Sequence, residues 1–355
     1  MAKIITCFRP FLLFFAVFVV PNFGFGQDST LFDSEEILEL SLKGDVRQLF
    51  KNTKGEAQYF DFSLGYADEI GVQHSIPLRV RTRGHFRRQM NLCDYPPLLL
   101  NFAKENTGNT IFSGQDKLKL VMPCQGEKYV LREFYAYKVY NQLTPKSFKV
   151  RLVRLTIVDE SDKPKNYASF LGFLIEEEEQ MAKRNQMAAL DKELVKPESI
   201  ELDDFLRMSV FQYLIGNTDW SIQYRQNIKL IIPSENQKPV AVPYDFDHAG
   251  IVRPPYAMPA PELKLATVAD RRYRGYCLEE MQLFESIFSE FNAKKDAIYA
   301  LYAESELMDP KSIKSTINYL DEFYATINNS KRVKADFQYP CLSGGTGNVV
   351  IKGLK

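Results

Sequence analysis

The sequence predicts an α+β fold with a strand-rich N-terminal part and a mainly helical C-terminal part. Up to about residue 175, most apolar residues alternate with polar ones, which is the period of a strand with one buried face. Beyond residue 200 they recur every three or four positions, which is the helical period. Strands grouped before helices favour an α+β fold. With 355 residues, 45% of them hydrophobic, the chain can bury a large core.

The N-terminus has the three-part layout of a secretory signal peptide. Lys3 and Arg9 precede or flank the apolar run FLLFFAVFVV, and the small residues Gly24 and Gly26 follow it. This layout predicts cleavage after Gly26 and a secreted or periplasmic protein. The run is short for a bilayer span, so a membrane anchor is the alternative. No later segment is long and apolar enough for a transmembrane helix, so none is expected in the mature chain.

The charge balance bears on the kind of partner that the protein binds, and the cysteine content bears on the compartment in which it resides. Basic and acidic residues number 45 each, so no basic footprint of a nucleic-acid-binding protein is present. Of five cysteines, Cys7 leaves with the signal peptide, and an even number in an exported chain suggests disulfides. Cys93 and Cys124 flank predicted paired strands, and Cys277 and Cys341 share the C-terminal half, so we expect these two pairings. Four reduced, buried thiols are the alternative.

The spacing of apolar residues predicts the secondary structure of the N-terminal part. In IPLRVRTRG, Leu78, Val80 and Thr82 alternate with arginines, which predicts a half-buried strand ending at Gly84. DKLKLVM alternates in the same way, and YPPLLLNF has the composition of an extended segment. EKYVLREFYAYKVYNQL changes to helical spacing, so we expect a helix over residues 128–143. FKVRLVRLTIVD and SFLGFLI predict two further strands.

The C-terminal elements are helices and one hairpin. EEEEQMAKRNQMAALDKELV is acidic first and basic later, an order that suits a helix dipole and predicts a helix starting in the run Glu176–Glu179. Helical spacing in ELDDFLRMSVFQYLIGN predicts a helix that stops at Gly216 and Asn217. NIKLII and PVAVPYDF predict a short hairpin. LEEMQLFESIFSEFNAKKDAIYALYAE and PKSIKSTINYLDEFYATINN predict long amphipathic helices.

Acidic and amide side chains gather in NTDWSIQYRQN and YDFDHAG, each beside an apolar run. If YDFDH is extended, Asp245 and Asp247 point to the same side, and Asn227, at the start of the partner strand, can approach them. Asp219 lies in the loop before, where it could meet a substrate hydroxyl. Magnesium prefers carboxylate and amide oxygens, so the pattern predicts a divalent-metal site facing a phosphate. The alternative is that Asn and Asp are here turn residues.

The order of these segments resembles the protein-kinase-like fold, specifically its CotH-like branch, which is named after spore coat protein H. RTRG after a strand is similar to that family's Arg-Gly turn, and DKLKLVMPC with YVLREFYAYKVYNQL resembles its strand followed by a helix with an Arg-Glu pair. ASFLGFLIEE resembles the strand that leads into its lobe junction. LIGNTDW with the later Asn, and VPYDFD, are similar to its N-x-D…N and P-W-D-x-D motifs. The resemblance covers roughly residues 75–255.

The resemblance implies a two-lobed fold and metal-dependent phosphoryl transfer from ATP to a protein hydroxyl. In that assignment Asp219 is the catalytic residue, and Asn227, Asp245 and Asp247 hold Mg²⁺ or Mn²⁺. Such a transfer needs little covalent chemistry from the protein, because positioning and charge neutralisation supply most of the catalysis.

A cation over the phosphates is the remaining requirement. Lys119 projects from a predicted strand and Glu133 lies on the helix that follows, so we expect them to form the ion pair that orients a nucleotide-binding lysine. Arg83 is assigned to the nucleotide as well, and Lys117 is a rival for the role of Lys119.

Two departures from the family pattern leave other functions open. DYPPLLLNF stands where the family has a lysine-containing segment, and Asp219 and Asn227 lie eight positions apart, against five in the ordinary kinase motif. Both favour a catalytically inactive, kinase-like envelope binding module as the alternative. A metal-dependent hydrolase using the same acids is a third hypothesis. The partner is accordingly a protein substrate or an envelope protein.

The expected division of the chain follows from these assignments. Residues 1–26 are the signal peptide, 27–178 the strand-rich lobe, 179–342 the helical lobe with the inserted hairpin that carries the acidic site, and 343–355 a C-terminal tail.

Overall fold

Seven strands form a closed barrel in the N-terminal half. The computed structural model describes residues 31–68, 70–84, 93, 95–275, 278 and 280–338. The strands are β1 (Leu38–Gly44), β2 (Phe60–Ala67), β3 (Gln73–Thr82), β4 (Leu98–Phe102), β5 (Lys117–Val121), β6 (Val150–Asp159) and β7 (Phe170–Ile175). They follow the order β1-β2-β3-β4-β5-β7-β6. Neighbours are antiparallel except β1 and β6, whose parallel pairing closes the barrel. A mixed α+β fold is confirmed.

Apolar side chains at every second position of the strands fill the interior of the barrel. On β3, Leu78, Val80 and Thr82 are buried, while Arg79 is exposed and Arg81 is partly exposed on the other face. Successive strand residues point to opposite faces, so this pattern directs one apolar side chain in two into the core. The strands predicted from alternation are therefore confirmed.

The helix α2 (Glu127–Leu143) connects β5 to β6 and packs against both the barrel and the C-terminal helices. Its buried residues occur on most of its circumference, as expected of a helix with protein on two sides. The helix expected over residues 128–143 is confirmed. A shorter helix, α1 (Val46–Lys51), follows β1 and is capped by Asp45, whose carboxylate accepts from the Gln48 amide.

The C-terminal half contains six helices and a small sheet among the described residues. The helices are α3 (Glu178–Arg184), α4 (Leu202–Ile215), α5 (Leu283–Ala293), α6 (Lys295–Ala303), α7 (Pro310–Ile327) and α8 (Ser330–Phe337). Strands β8 (Ala188–Ala189), β9 (Ile228–Ile232) and β10 (Val240–Pro243) form a sheet in the order β10-β9-β8. The predicted hairpin is β9 and β10. None of the described helices could cross a membrane.

Two helices are shorter than the sequence predicted. The helix start predicted within the run Glu176–Glu179 is confirmed: Glu176 continues the strand's backbone pairing, its carboxylate pairs with Arg184 at 2.9 Å, and α3 begins at Glu178. It ends at Arg184, where Asn185 turns its side chain back to a helix carbonyl and Gln186 adopts φ 58. The long helix expected over 278–304 is divided into α5 and α6 at Lys294.

The disulfide Cys93–Cys124 is confirmed, with the two Cα atoms 4.0 Å apart. Cys93 precedes β4 and Cys124 follows β5, so the bond joins the ends of two neighbouring strands. Cys277 and Cys341 lie outside the described residues, as do the signal peptide over residues 1–26 and the tail over 343–355. Those predictions remain open.

Removal of the disulfide should destabilise the fold. The bond closes a loop with a sequence separation of 31, for which the chain-entropy relation gives about 3–4 kcal/mol. We expect urea unfolding of the Cys93→Ser/Cys124→Ser variant to show a loss of this order. Dithiothreitol should lower the midpoint of the wild type more than that of the variant, in which the expected Cys277–Cys341 bond is the one left to reduce. An equal response of both proteins to dithiothreitol would contradict the role of this bond.

Candidate functional site

A cavity of about 200 Å³ lies where barrel residues meet residues of the C-terminal half. Val121 at the end of β5 and Ile175 at the end of β7 form part of its wall. Its lining also includes six residues that the sequence singled out: Arg83, Glu133, Asp219, Asn227, Asp245 and Asp247. The fold therefore brings together side chains that are up to 164 positions apart along the chain, between Arg83 and Asp247.

Asp219 is held by the loop that leaves α4. Helix α4 ends at Gly216 with φ 66, as its sequence predicted, and Asn217 Oδ1 accepts from the Asp219 amide at 3.0 Å. Asn227 Nδ2 donates to the Asp219 backbone oxygen at 2.8 Å and to its Oδ2 at 3.0 Å. Asp219 Oδ1 is buried and accepts no hydrogen bond from the described residues. The loop thus fixes one carboxylate oxygen and leaves the other unsatisfied.

Burial raises the pKa of the Asp219 carboxyl above its ordinary value. The nearby charge of Asp247 raises it further, whereas His248 and the side chain of Gln226 act in the opposite direction. A carboxylate whose proton affinity is raised is suited to take a proton from a hydroxyl.

The sequence did not indicate Arg274, whose side chain donates hydrogen bonds to the backbone of the loop that carries Asp219. Its Nη1 donates to the carbonyl oxygens of Thr218 and Trp220, both at 2.5 Å. Its guanidinium lies 5.3 Å from the centroid of the Trp220 ring. Burial lowers the pKa of Arg274 to about 10, and the charge of Asp219 opposes that shift. Nothing in the segment RRYRG distinguishes this arginine from its neighbours, so the sequence carried no signal for it.

The extended conformation expected for YDFDH is wrong. Strand β10 ends at Pro243, and Asp245 has φ 62, in the left-handed region. Its amide donates to Tyr137 Oη on α2 at 2.8 Å, a contact across 108 positions of the chain. Asn227 is left-handed too, with φ 52, and its carbonyl accepts from the Tyr244 amide at 3.0 Å. Asn and Asp tolerate this region best among non-glycine residues, and such conformations cluster at functional sites.

Asp247 reaches the same cavity after a fully buried residue. Phe246 has no exposed surface and packs on Tyr137, with ring centroids 4.5 Å apart. The Asp247 carboxylate accepts from Tyr256 Oη at 3.2 Å, and His248 Nε2 lies 3.9 Å from it. Tyr256 belongs to the proline-rich loop after the acidic segment, and its contact with the acids was not predicted. Asp245 and Asp247 therefore line one cavity through a turn and an anchored aromatic residue.

Lys119 lies close to the site in an aromatic setting. Its Nζ is 4.4 Å from the ring centroid of Tyr244 and 5.9 Å from that of Phe148. Burial lowers its pKa to about 7, and the charges of Arg83 and Lys229 lower it as well. The amine is consequently only partly protonated near neutral pH.

The other cationic assignments have different outcomes. Glu133 is buried and lines the cavity, but no ion pair between Lys119 and Glu133 occurs in the described part of the chain. Lys117 lies on the same face of β5 as Lys119, but it is exposed and pairs with Asp116 at 3.2 Å. Arg83 lines the cavity directly after β3. Of the three assigned cations, Arg83 lines the cavity and Lys119 contacts the lining residue Tyr244, whereas Lys117 is paired with Asp116.

The side-chain oxygens of the site are of the type that a hard divalent cation prefers. Within the described ranges, no group of three or more His, Cys, Asp and Glu residues could hold a metal. Asp245 and Asp247 with the side-chain oxygen of Asn227 nevertheless supply the oxygen ligands that Mg²⁺ prefers. Mg²⁺ commonly keeps several waters and uses one or two carboxylates together with substrate phosphates. This composition suits an ion delivered with a nucleotide better than an ion caged by protein alone.

Comparisons with known proteins give a distant likeness among solved structures. No family model matches the sequence, and no curated protein matches it. Among solved structures, the chain is similar to the crystal structure of the Helicobacter pylori proinflammatory kinase CtkA, with a TM-score of 0.40 and 11% sequence identity. The match covers 67% of this chain and 92% of that chain.

Proposed function

We propose that the protein is an exported CotH-like kinase that transfers a phosphoryl group from a nucleotide to a protein hydroxyl in a metal-dependent reaction. The observation that carries this proposal is the convergence of Asp219, Asn227, Asp245 and Asp247 on one cavity. In this arrangement residues 27–178 form a strand-rich lobe and 179–342 a helical lobe. The barrel interior has a hydrophobic core of its own, whereas α2 and one face of β6 and β7 share the core of the C-terminal helices.

The residues divide into three roles. Asp219 accepts the proton of the substrate hydroxyl. The hydroxyl oxygen bonds to the terminal phosphorus of the nucleotide while the bond from that phosphorus to the nucleoside diphosphate, which leaves, is broken. Asp245, Asp247 and Asn227 would hold Mg²⁺ or Mn²⁺, whose charge neutralises the phosphates when it is bound. Arg83 and Lys119 contact the phosphate oxygens. Arg274 holds the loop of Asp219 and takes no part in the chemistry.

Export is supported by the covalent structure. Disulfides persist in oxidising compartments and are rare in cytosolic proteins, and Cys93–Cys124 is bonded here. The disulfide and the absence of a membrane-spanning helix among the described residues are both compatible with a secreted or periplasmic protein. The signal peptide is part of the proposal.

Mg²⁺ with ATP should stabilise the mature chain, and Asp245→Asn should lose most of this effect. A ligand at 100 times its dissociation constant stabilises the native state by about 2.7 kcal/mol, which thermal denaturation readily detects. Asp203→Asn, an exposed aspartate in the first turn of α4, is the control and should respond like the wild type. No stabilisation of the wild type by Mg²⁺ and ATP, or an equal stabilisation of Asp245→Asn, would contradict the metal–nucleotide assignment.

Nucleotide binding at pH 8 should take up a proton at Lys119. With a pKa of about 7 the amine is mostly neutral at that pH, and a phosphate beside it favours the charged form. Calorimetric titrations in buffers of different ionisation enthalpy measure the uptake, for which we expect between about half a proton and one proton per nucleotide. Lys119→Arg is the control, because its guanidinium is always charged and should abolish the uptake.

The position of Lys119 favours a second function. Lys119 lies over the Tyr244 ring and forms no ion pair with Glu133. Because its pKa is lowered to about 7, the amine that would contact the phosphates is partly neutral at neutral pH. This favours a catalytically inactive, kinase-like binding module in the envelope. Nucleotide binding without proton uptake, combined with no phosphoryl transfer, would support that function over the kinase.

A further inference from the structure

A second cavity, of about 500 Å³, lies at the other end of the barrel. Ile175, which lines the acidic site, pairs with Val150 at the start of β6. The second cavity is formed by residues that follow the far ends of β6 and β1, where Asp159 and Gly44 are paired. A ten-residue strand at about 3.3 Å per residue separates the two ends by roughly 30 Å. The cavity is therefore independent of the acidic site.

Two segments line this cavity with the same composition, two cations and one aromatic ring. Helix α1 contributes Arg47, Phe50 and Lys51, whose spacing of three and four places them on one helix face. The segment after β6 contributes Lys163, Lys165 and Tyr167 at alternate positions. Phe50 and Tyr167 meet edge to face, with ring centroids 6.2 Å apart. The six residues thus form an aromatic floor flanked by four positive charges.

The aromatic floor is backed by the rest of the barrel end. Phe50 and Tyr167 each contact the Tyr95 ring, at 6.1 and 6.2 Å between centroids, and Tyr95 packs on Phe170 of β7 at 4.3 Å. Both floor residues remain half-buried, with part of each ring facing the cavity. The floor is consequently anchored in the structure while its outer surface is accessible to a ligand.

The four cations, all exposed, are not engaged in ion pairs in the described part of the chain. The cavity lining that the structure describes contains no acid. The nearby acids have other partners: Asp45 caps α1, Asp159 accepts from two loop amides, and Glu160 pairs with Lys43 at 3.0 Å. Asp162 lies in an adjoining depression of about 170 Å³, whose lining it shares with Asp45, Arg47 and Lys51. Four like charges around one cavity favour the binding of an anion, which lowers their mutual repulsion.

We propose that this cavity, which we call the basic–aromatic site, binds a small organic phosphate carried on a planar ring, of the size of a nucleoside monophosphate. Lysine and arginine side chains make charge-assisted hydrogen bonds to phosphate oxygens. The rings of Phe50 and Tyr167 supply an apolar surface for the planar group. A volume of about 500 Å³ is within the range of small-molecule sites. The ligand binds without the divalent ion that the acidic site requires.

The test is calorimetric titration of the mature protein with AMP in the presence of EDTA, with inorganic phosphate and adenosine as part-ligand probes. We expect AMP to bind with at least fivefold higher affinity than either probe. Lys163→Gln/Lys165→Gln should weaken AMP binding at least tenfold. Phe50→Leu should weaken AMP binding several-fold and leave phosphate binding unchanged, which separates the ring contact from the charge contact.

Two control variants locate the binding. Lys311→Gln/Lys314→Gln removes two exposed lysines from α7 and should bind AMP like the wild type. Asp245→Asn should bind AMP equally well, because it alters only the acidic site. The proposal is overturned if AMP does not bind, if Lys163→Gln/Lys165→Gln binds it normally, or if Asp245→Asn abolishes the binding. Equal affinity for phosphate and AMP, or binding of an acidic peptide alone, would overturn the assigned ligand class.

Discussion

Asp219→Asn should lower phosphoryl transfer by a factor of about 10² to 10⁴, the usual contribution of a positioned general base. The amide has nearly the shape of the carboxylate and cannot take the hydroxyl proton. Because the pKa of Asp219 is raised, removal of its charge should leave the native state at least as stable at neutral pH. Transfer of labelled phosphate from ATP, measured beside thermal denaturation, checks both statements.

A measurement of ligand binding distinguishes the lower activity expected of Asp219→Asn from weaker binding of the nucleotide. Asp219 is assigned to the hydroxyl and not to the ion, so Asp219→Asn should keep the stabilisation by Mg²⁺ and ATP that Asp245→Asn loses. In the wild type, activity should fall as the pH drops through the pKa of Asp219, at a higher pH than an ordinary aspartate gives. Full activity in Asp219→Asn would remove this residue from the mechanism.

Phe246→Ala should cost about 3–5 kcal/mol of the free energy of unfolding, which is typical of a buried phenylalanine cut to alanine. Phe246 is fully buried and packs on Tyr137 and Phe211, with ring centroids 4.5 and 5.4 Å apart. It also lies between Asp245 and Asp247, so its loss should loosen both carboxylates. Urea denaturation measures the stability, and the response to Mg²⁺ and ATP reports on the site.

Two controls accompany this variant. Phe246→Leu retains most of the apolar volume and should lose much less stability. Met258→Ala removes a side chain that is 69% exposed and should change stability by no more than about 0.5 kcal/mol. A loss below about 1 kcal/mol in Phe246→Ala would show that the packing around this residue does not hold the acidic segment.

The spacing of apolar residues and the chemistry of single positions predicted several of the elements. The alternation of Leu78, Val80 and Thr82 predicted β3, and the change to helical spacing predicted α2. The αL cap at Gly216 was predictable too, because glycine after a helical run is a local signal. Each of these properties depends on residues close together in the chain.

The finer geometry of the site depends on contacts between distant segments. Asp245 turns left-handed where its amide meets Tyr137 Oη, and no pattern within YDFDH could indicate a partner on α2. Arg274 and Tyr256 reach the site from one long loop without a period of its own. The composition of the acidic segments predicted which residues gather, whereas tertiary contacts decided how they are held.

The most direct test of the central claim is anomalous diffraction from crystals of the mature protein soaked with Mn²⁺ and a non-hydrolysable ATP analogue. The proposed function predicts a manganese peak within coordination distance of Asp245 and Asp247, with the phosphates on the side of Arg83 and Lys119. Asp219 should face the terminal phosphate. Manganese bound elsewhere, or a nucleotide found outside this cavity, would contradict the assignment of the acidic site to phosphoryl transfer.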